Sequence, residues 1–198
     1  MEYLDELRDR KLALGLVKKI RTLTPKRHNF MEVCGTHTVA IFRSGIRSVL
    51  PKNLRIISGP GCPVCVTPMK EIDEAIYLVK NSNTILATFG DLMKVPGTEC
   101  SLLEARARGA KVKIILSPMD AVQLAELEKD SKVVLFAVGF ETTIPAIAVA
   151  IKEAFRRELK NFFVLSSLRL IPPAIESLLN SKKTAIDGFI LPGHVSVI

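Results

Sequence analysis

Seven short apolar, largely β-branched or aromatic runs, each giving way to a Gly-, Pro- or Ser-containing loop and, in most cases, then to an amphipathic stretch, constrain what this chain can fold into. They occupy residues 30–33, 54–57, 84–89, 112–116, 133–138, 162–165 and 189–191. Their starts lie roughly 20 to 30 residues apart, the length of one strand-plus-helix unit. Runs that are apolar almost throughout, and not alternating, predict parallel strands buried on both faces. Helical spacing marks 70–80, 101–108, 121–128, 145–157 and 172–179, and Leu4, Leu7, Leu14, Val17 and Ile20 predict an N-terminal helix over 3–23. The fold class is therefore α/β: two consecutive units of parallel β-sheet flanked by helices, preceded by an N-terminal helix. The polar stretch 126–132 predicts a boundary, giving a helix and linker over 1–28, a first α/β domain over 29–128 and a second over 129–198. Ending on Val195-Ser196-Val197-Ile198, with no helix to cover the last strand, predicts that the second domain is incomplete.

Ligands of open α/β sheets bind beyond the C-terminal ends of the strands, so the loops after the runs are where chemistry is expected. The most informative is Ser58-Gly59-Pro60-Gly61-Cys62-Pro63-Val64-Cys65. Two cysteines spaced i, i+3 where a strand ends and a helix is about to begin can face one cleft, and the helix dipole favours their thiolate forms. Such a pair can cycle with a disulfide, ligate a soft metal, or pass between those states. A second junction, Cys34-Gly35-Thr36-His37-Thr38, follows the run at 30–33 and is read as a loop. Cys100, before Ser101, reads as an ordinary small residue near a helix start. Glu141-Thr142-Thr143-Ile144-Pro145 reads as a helix start as well, with Thr142 or Thr143 as N-cap. Gly59-Pro60-Gly61 is not a phosphate loop, because neither the Lys-Ser/Thr nor the dinucleotide glycine pattern follows it.

Bulk properties narrow the setting. Apolar runs at 133–140 and 144–151 fall far short of the ~20 residues that a membrane helix needs, and Met1-Glu2-Tyr3-Leu4-Asp5-Glu6 lacks the apolar stretch of a secretory signal. A cytoplasmic location with no membrane partner is expected, where four cysteines are reactive or metal-binding and not structural disulfides. The net charge of +8 is spread along the chain, and 6% aromatic content without Trp offers little for base stacking. No nucleic-acid partner is expected; a solvated basic surface or an acidic protein partner fits better.

Taken in order, these motifs together with Phe89-Gly90-Asp91, Val95-Pro96-Gly97, Ser117-Pro118-Met119-Asp120-Ala121, Gly139-Phe140-Glu141-Thr142-Thr143 and Leu191-Pro192-Gly193-His194 resemble those of the [NiFe]-hydrogenase maturation factor HypD family from about residue 30 onward. The resemblance implies a scaffold on which the Fe(CN)₂CO group is assembled, more than a conventional turnover enzyme, acting with a HypC-type chaperone and a HypE-type cyanide donor. It implies that Cys34, Cys62 and Cys65 are the iron ligands and redox thiols, with His37 beside them. Gly35, Thr36, Thr38, Pro63, Asp91, Glu141, Thr142 and His194 are the motif residues that would surround the bound group. Thiolate ligands suit a soft iron centre, and a neighbouring dithiol can supply electrons by closing to a disulfide. The family also carries a [4Fe-4S] cluster on a C-terminal region that has no counterpart in this chain. Leu168, before Arg169, stands where the pattern often has His, so no role for that histidine transfers. Two alternatives remain: a stand-alone thiol–disulfide oxidoreductase using Cys62 and Cys65, and an interaction module in which the pair binds structural zinc.

Overall fold

The structure, a computed structural model, describes residues 9–80, 83–181 and 185–193. By internal contacts the chain forms two compact units, one of residues 63–171 and one of residues 1–62 with 172–198.

The continuous unit holds a four-stranded parallel sheet, order β4-β3-β5-β6, made of β3 (Thr84–Phe89), β4 (Val112–Ile115), β5 (Lys132–Gly139) and β6 (Phe162–Leu168). β5 is buried along nearly its whole length, and its side chains alternate between the two faces. Val134, Phe136 and Val138 pack with Ile72, Ala75, Ile76 and Val79 of α4 (Met69–Lys80) and with Leu102 and Ala105 of α5 (Leu102–Ala107). Leu135 and Ala137 pack with Ala121 of α6 (Pro118–Leu127) and Ile147 of α7 (Ile144–Arg156). The helix starts are written in the sequence: Ser101 with Glu104, and Ser117 with Asp120, each form a reciprocal capping box. Phe136, fully buried at the centre, contributes on the order of 2–3 kcal/mol by burial alone.

The discontinuous unit holds a three-stranded parallel sheet, order β2-β1-β7, made of β1 (His28–Glu32), β2 (Leu54–Ser58) and β7 (Gly188–Ile190). It also holds α1 (Arg10–Leu23), α2 (Gly35–Ser44), α3 (Ile46–Val49) and most of α8 (Ile171–Asn180). Asp9 caps α1 by accepting the N–H groups of Lys11 and Leu12 at 2.7 and 3.1 Å. Residues 3–8 of the expected N-terminal helix lie outside the described residues.

Two parallel sheets flanked by helices, after an N-terminal helix, are what the repeating pattern requires. The partition is different. An expected boundary after residue 128 would cut the four-stranded sheet, because β3 pairs β5 in the register Thr84↔Lys132 to Ala87↔Leu135. The polar stretch 126–132 is no linker: Asn161 Nδ2 donates to the carbonyls of Ala125, Glu128 and Ser131 at 2.9, 3.1 and 3.0 Å and ties it to the sheet. The last run likewise joins not the strands before it but β1, with Phe30 opposite Gly188. Among the described residues no helix is long and apolar enough to cross a membrane.

Candidate functional site

β1 and β2 are parallel neighbours whose last residues, Glu32 and Ser58, lie opposite one another. The segments that follow therefore leave the sheet side by side. Glu32 O accepts the Gly59 N–H at 2.8 Å, and Gly61 O accepts the Gly35 N–H at 3.2 Å. A Cβ on Gly59 would come within 2.7 Å of Glu32 O, and one on Gly61 would overlap the Cys34 nitrogen and the Val33 carbonyl carbon. Glycine at 59 and 61 lets the two main chains touch. As a result the Cys62 Cβ lies 3.8 Å from where a Cβ on Gly35 would sit. The first turn after β1 and the segment that carries Cys62 are packed together, and both Cys34 and Cys62 are half-buried.

The expected loop at 34–38 is a helix start. Cys34 is the N-cap of α2, in extended conformation (φ −156°, ψ 128°), and its side chain does not cap the helix. Its carbonyl accepts the Thr38 N–H at 3.1 Å. Beneath it Glu32 is completely buried, one carboxylate oxygen accepting the Cys34 N–H at 3.3 Å and the other the Thr38 hydroxyl. His37 is half-buried on the same turn, and Thr36 is exposed.

The C-x-x-C pair is placed differently from expectation. It does not open a helix: residues 63–66 form a turn, and α4 begins only at Met69. Pro63 and Pro68 explain this, since each disfavours helical geometry in the residue before it. The turn is closed by the Thr67 hydroxyl donating to Pro63 O at 2.9 Å. Cys62 belongs to the discontinuous unit, and Pro63, Val64 and Cys65 to the continuous one. Val64 packs against the core of the continuous unit, and Cys65 is exposed.

Asp91, Glu141 and Thr142 follow strands of the four-stranded sheet. Asp91 is exposed on the 3₁₀ turn Gly90–Lys94 after β3. Glu141 accepts the Ile171 N–H at 2.8 Å, a structural tie, and Thr142 is exposed. Thr143, not Thr142, holds the N-cap position of α7, without a side-chain cap bond; its side chain presses on Gly139, where a Cβ would overlap it. His194 lies outside the described residues.

Two features escaped the sequence reading. One is Glu32, whose signal was a lone carboxylate inside an otherwise apolar run. The other is an ion pair in the continuous unit: Glu71 accepts from Arg169 on one oxygen and from the Ser167 hydroxyl on the other. Partners 96 and 98 residues away in sequence give no local signal of such a pair.

Among the described residues no group of three or more His, Cys, Asp or Glu side chains is gathered as a metal-holding set. A [4Fe-4S] cluster asks for four thiolates. Cys100 is buried in the hydrophobic core of the continuous unit, so the chain's own cysteines do not fit such a cluster.

The sequence profile described as the HypD "Hydrogenase formation hypA family" matches residues 11–198. Hydrogenase maturation factor HypD2 of Bradyrhizobium diazoefficiens is 48% identical over 207 residues, covering 100% of this chain and 54% of that protein. Hydrogenase maturation factor HypD of Escherichia coli is 43% identical over 205 residues, covering 100% of this chain and 55% of the relative. A putative hydrogenase expression/formation protein of Methanocaldococcus jannaschii is 44% identical over 194 residues, covering 97% and 54%. The chain thus spans about half the length of the curated relatives it matches.

Proposed function

Because the chain belongs to the HypD hydrogenase-formation family, we propose that it acts in hydrogenase maturation, as part of a scaffold on which the Fe(CN)₂CO group is assembled. The iron is cargo, received and passed on. Cys34 and Cys62 are its thiolate ligands in this reading, with Cys65, three residues further along, as the third thiol and His37 on the first turn of α2 beside them. A HypC-type chaperone and a HypE-type cyanide donor are the partners, and the setting is the cytoplasm.

One observation carries the reading: Gly61 packs directly on the backbone of Cys34, so that two half-buried thiols follow adjacent strands at the C-terminal edge of one parallel sheet. Ligand sites of open α/β sheets form at that edge. Thiolate donors also match the softness of an iron that carries cyanide and carbon monoxide.

The test is infrared spectroscopy of the protein, in its full-length form, co-purified with the small chaperone. Cyanide and carbonyl stretches are expected in the wild type and absent from Cys34→Ala and Cys62→Ala. Unchanged bands in both variants would overturn the assignment of these thiols.

A further inference from the structure

We propose that Glu32 is the positioning residue of the Cys34 thiol, an inference that rests on the reading of Cys34 as an iron ligand. Glu32 ends β1 and is 0% exposed. A buried carboxylate is tolerated only when its oxygens are hydrogen-bonded, and here both are. One takes the Cys34 N–H at 3.3 Å, the other the Thr38 hydroxyl. These donors bracket the first turn of α2, which the Thr38 N–H closes on the Cys34 carbonyl at 3.1 Å. The main-chain carbonyl of Glu32 takes the Gly59 N–H at 2.8 Å. A single residue therefore ties the strand end, the turn that carries Cys34 and the segment that leads to Cys62.

Burial of the strand does not require a carboxylate here. Met31 and Val33, on either side, are apolar and already buried, at 4% and 2% exposed. An apolar side chain at 32 would fill the space but leave the direction of the Cys34 N–H, and with it the Cα–Cβ bond of Cys34, unspecified. The carboxylate fixes that direction. Groups that hydrogen-bond around a metal ligand are known to set its orientation and so the affinity of the site.

Substitutions separate positioning from general stability. Glu32→Gln keeps the length but offers one acceptor oxygen to two donors. Thr38→Val removes the hydroxyl, and Thr38→Ser restores it. The first readout is amide hydrogen exchange by nuclear magnetic resonance, which needs no metal. Glu32→Gln is expected to speed exchange of the Cys34 amide about 10-fold while the Met31 and Ile57 amides keep their wild-type rates. Thr38→Val is expected to speed exchange of the Thr38 amide, with Thr38→Ser like the wild type. The second readout uses Co²⁺ alone as probe: thiolate-to-cobalt absorption is expected in the wild type, with affinity lowered about 10-fold in Glu32→Gln. Cys34 exchange unchanged in Glu32→Gln, or protection lost evenly along β1 and β2, would overturn the proposal, as would equal Co²⁺ affinity. If the wild type gives no thiolate-to-cobalt absorption, it is the iron-ligand reading that fails, and the exchange data alone decide the role of Glu32.

Discussion

The backbone nitrogen of Cys34 stands where a Cβ on Gly61 would have to go. Main chain, not side chains, therefore sets the spacing of the two thiol-bearing segments. Gly61→Ala must displace the Val33–Cys34 backbone, and a stability loss of about 2–3 kcal/mol is expected. Gly15→Ala is the control: nothing lies within 4 Å of a Cβ there, and in a helix interior the change is expected to stabilise by about 0.5–1 kcal/mol. Urea denaturation of both variants measures the contrast.

Cys34→Ala, Cys62→Ala and Cys65→Ala remove side chains that are half-buried or exposed. Each is expected to shift stability by less than roughly 1 kcal/mol while abolishing maturation in a complementation assay with the full-length protein. Cys100 behaves in the opposite way. It is 5% exposed within the core of the continuous unit, so Cys100→Ala is expected to cost about 1 kcal/mol and leave maturation intact. Thermal melts run beside the assay separate the two classes.

Glu153 receives Arg156 at 2.8 and 2.6 Å and Arg157 at 2.6 Å, and Arg157 reaches on to Glu126 of α6 at 2.7 Å. The hydrogen bonds from Arg156, then Arg157, hold its carboxyl down at about 2, from an ordinary value of 4.5. A carboxyl depressed in the folded state stabilises above its unfolded pKa, and that contribution is lost as pH falls through the folded value. The affected window is therefore pH 4.5 down to about 2. Melting temperatures across it are expected to fall less steeply for Glu153→Gln than for the wild type; identical slopes would show that the pairs carry no linkage.

Glu71 joins α4 to the end of β6 through Arg169 and the buried Ser167 hydroxyl. With side-chain exposures of 36% for Arg169 and 22% for Glu71, solvent screens part of the pair. Glu71→Ala is expected to cost about 1–2 kcal/mol. Ser167→Ala in the Glu71→Ala background should then add little, and a double-mutant cycle in urea measures that coupling.

Seven strands, the helices α1 and α4 to α8 and the thiol-bearing segments are legible in the sequence because each is a local pattern of apolar spacing, glycine and proline, whereas α2 and α3 are not. What is not legible is pairing. Nothing in Gly188-Phe189-Ile190 says that its neighbour is β1, and nothing in 126–132 distinguishes a linker from a segment held down by Asn161. The helix start at Cys34 was hidden for a local reason: Gly35, Thr36 and Thr38 favour turns as readily as helices, and the group that fixes the turn, Glu32, lies on the preceding strand. The cysteines stand out by type and spacing, whereas the turn after Cys62 depends on Pro63 and Pro68, each of which acts on the residue before it.

β1 is the middle strand of its sheet, yet one of its partners, β7, is made only after the whole of residues 63–171. On the ribosome the continuous unit can complete its fold while β1 still presents an open edge, which reverses the usual order in which N-terminal parts of a chain finish first. Cys34 stands at the end of that strand. The sheet behind that thiol is therefore completed only once residues 188–190 have been made.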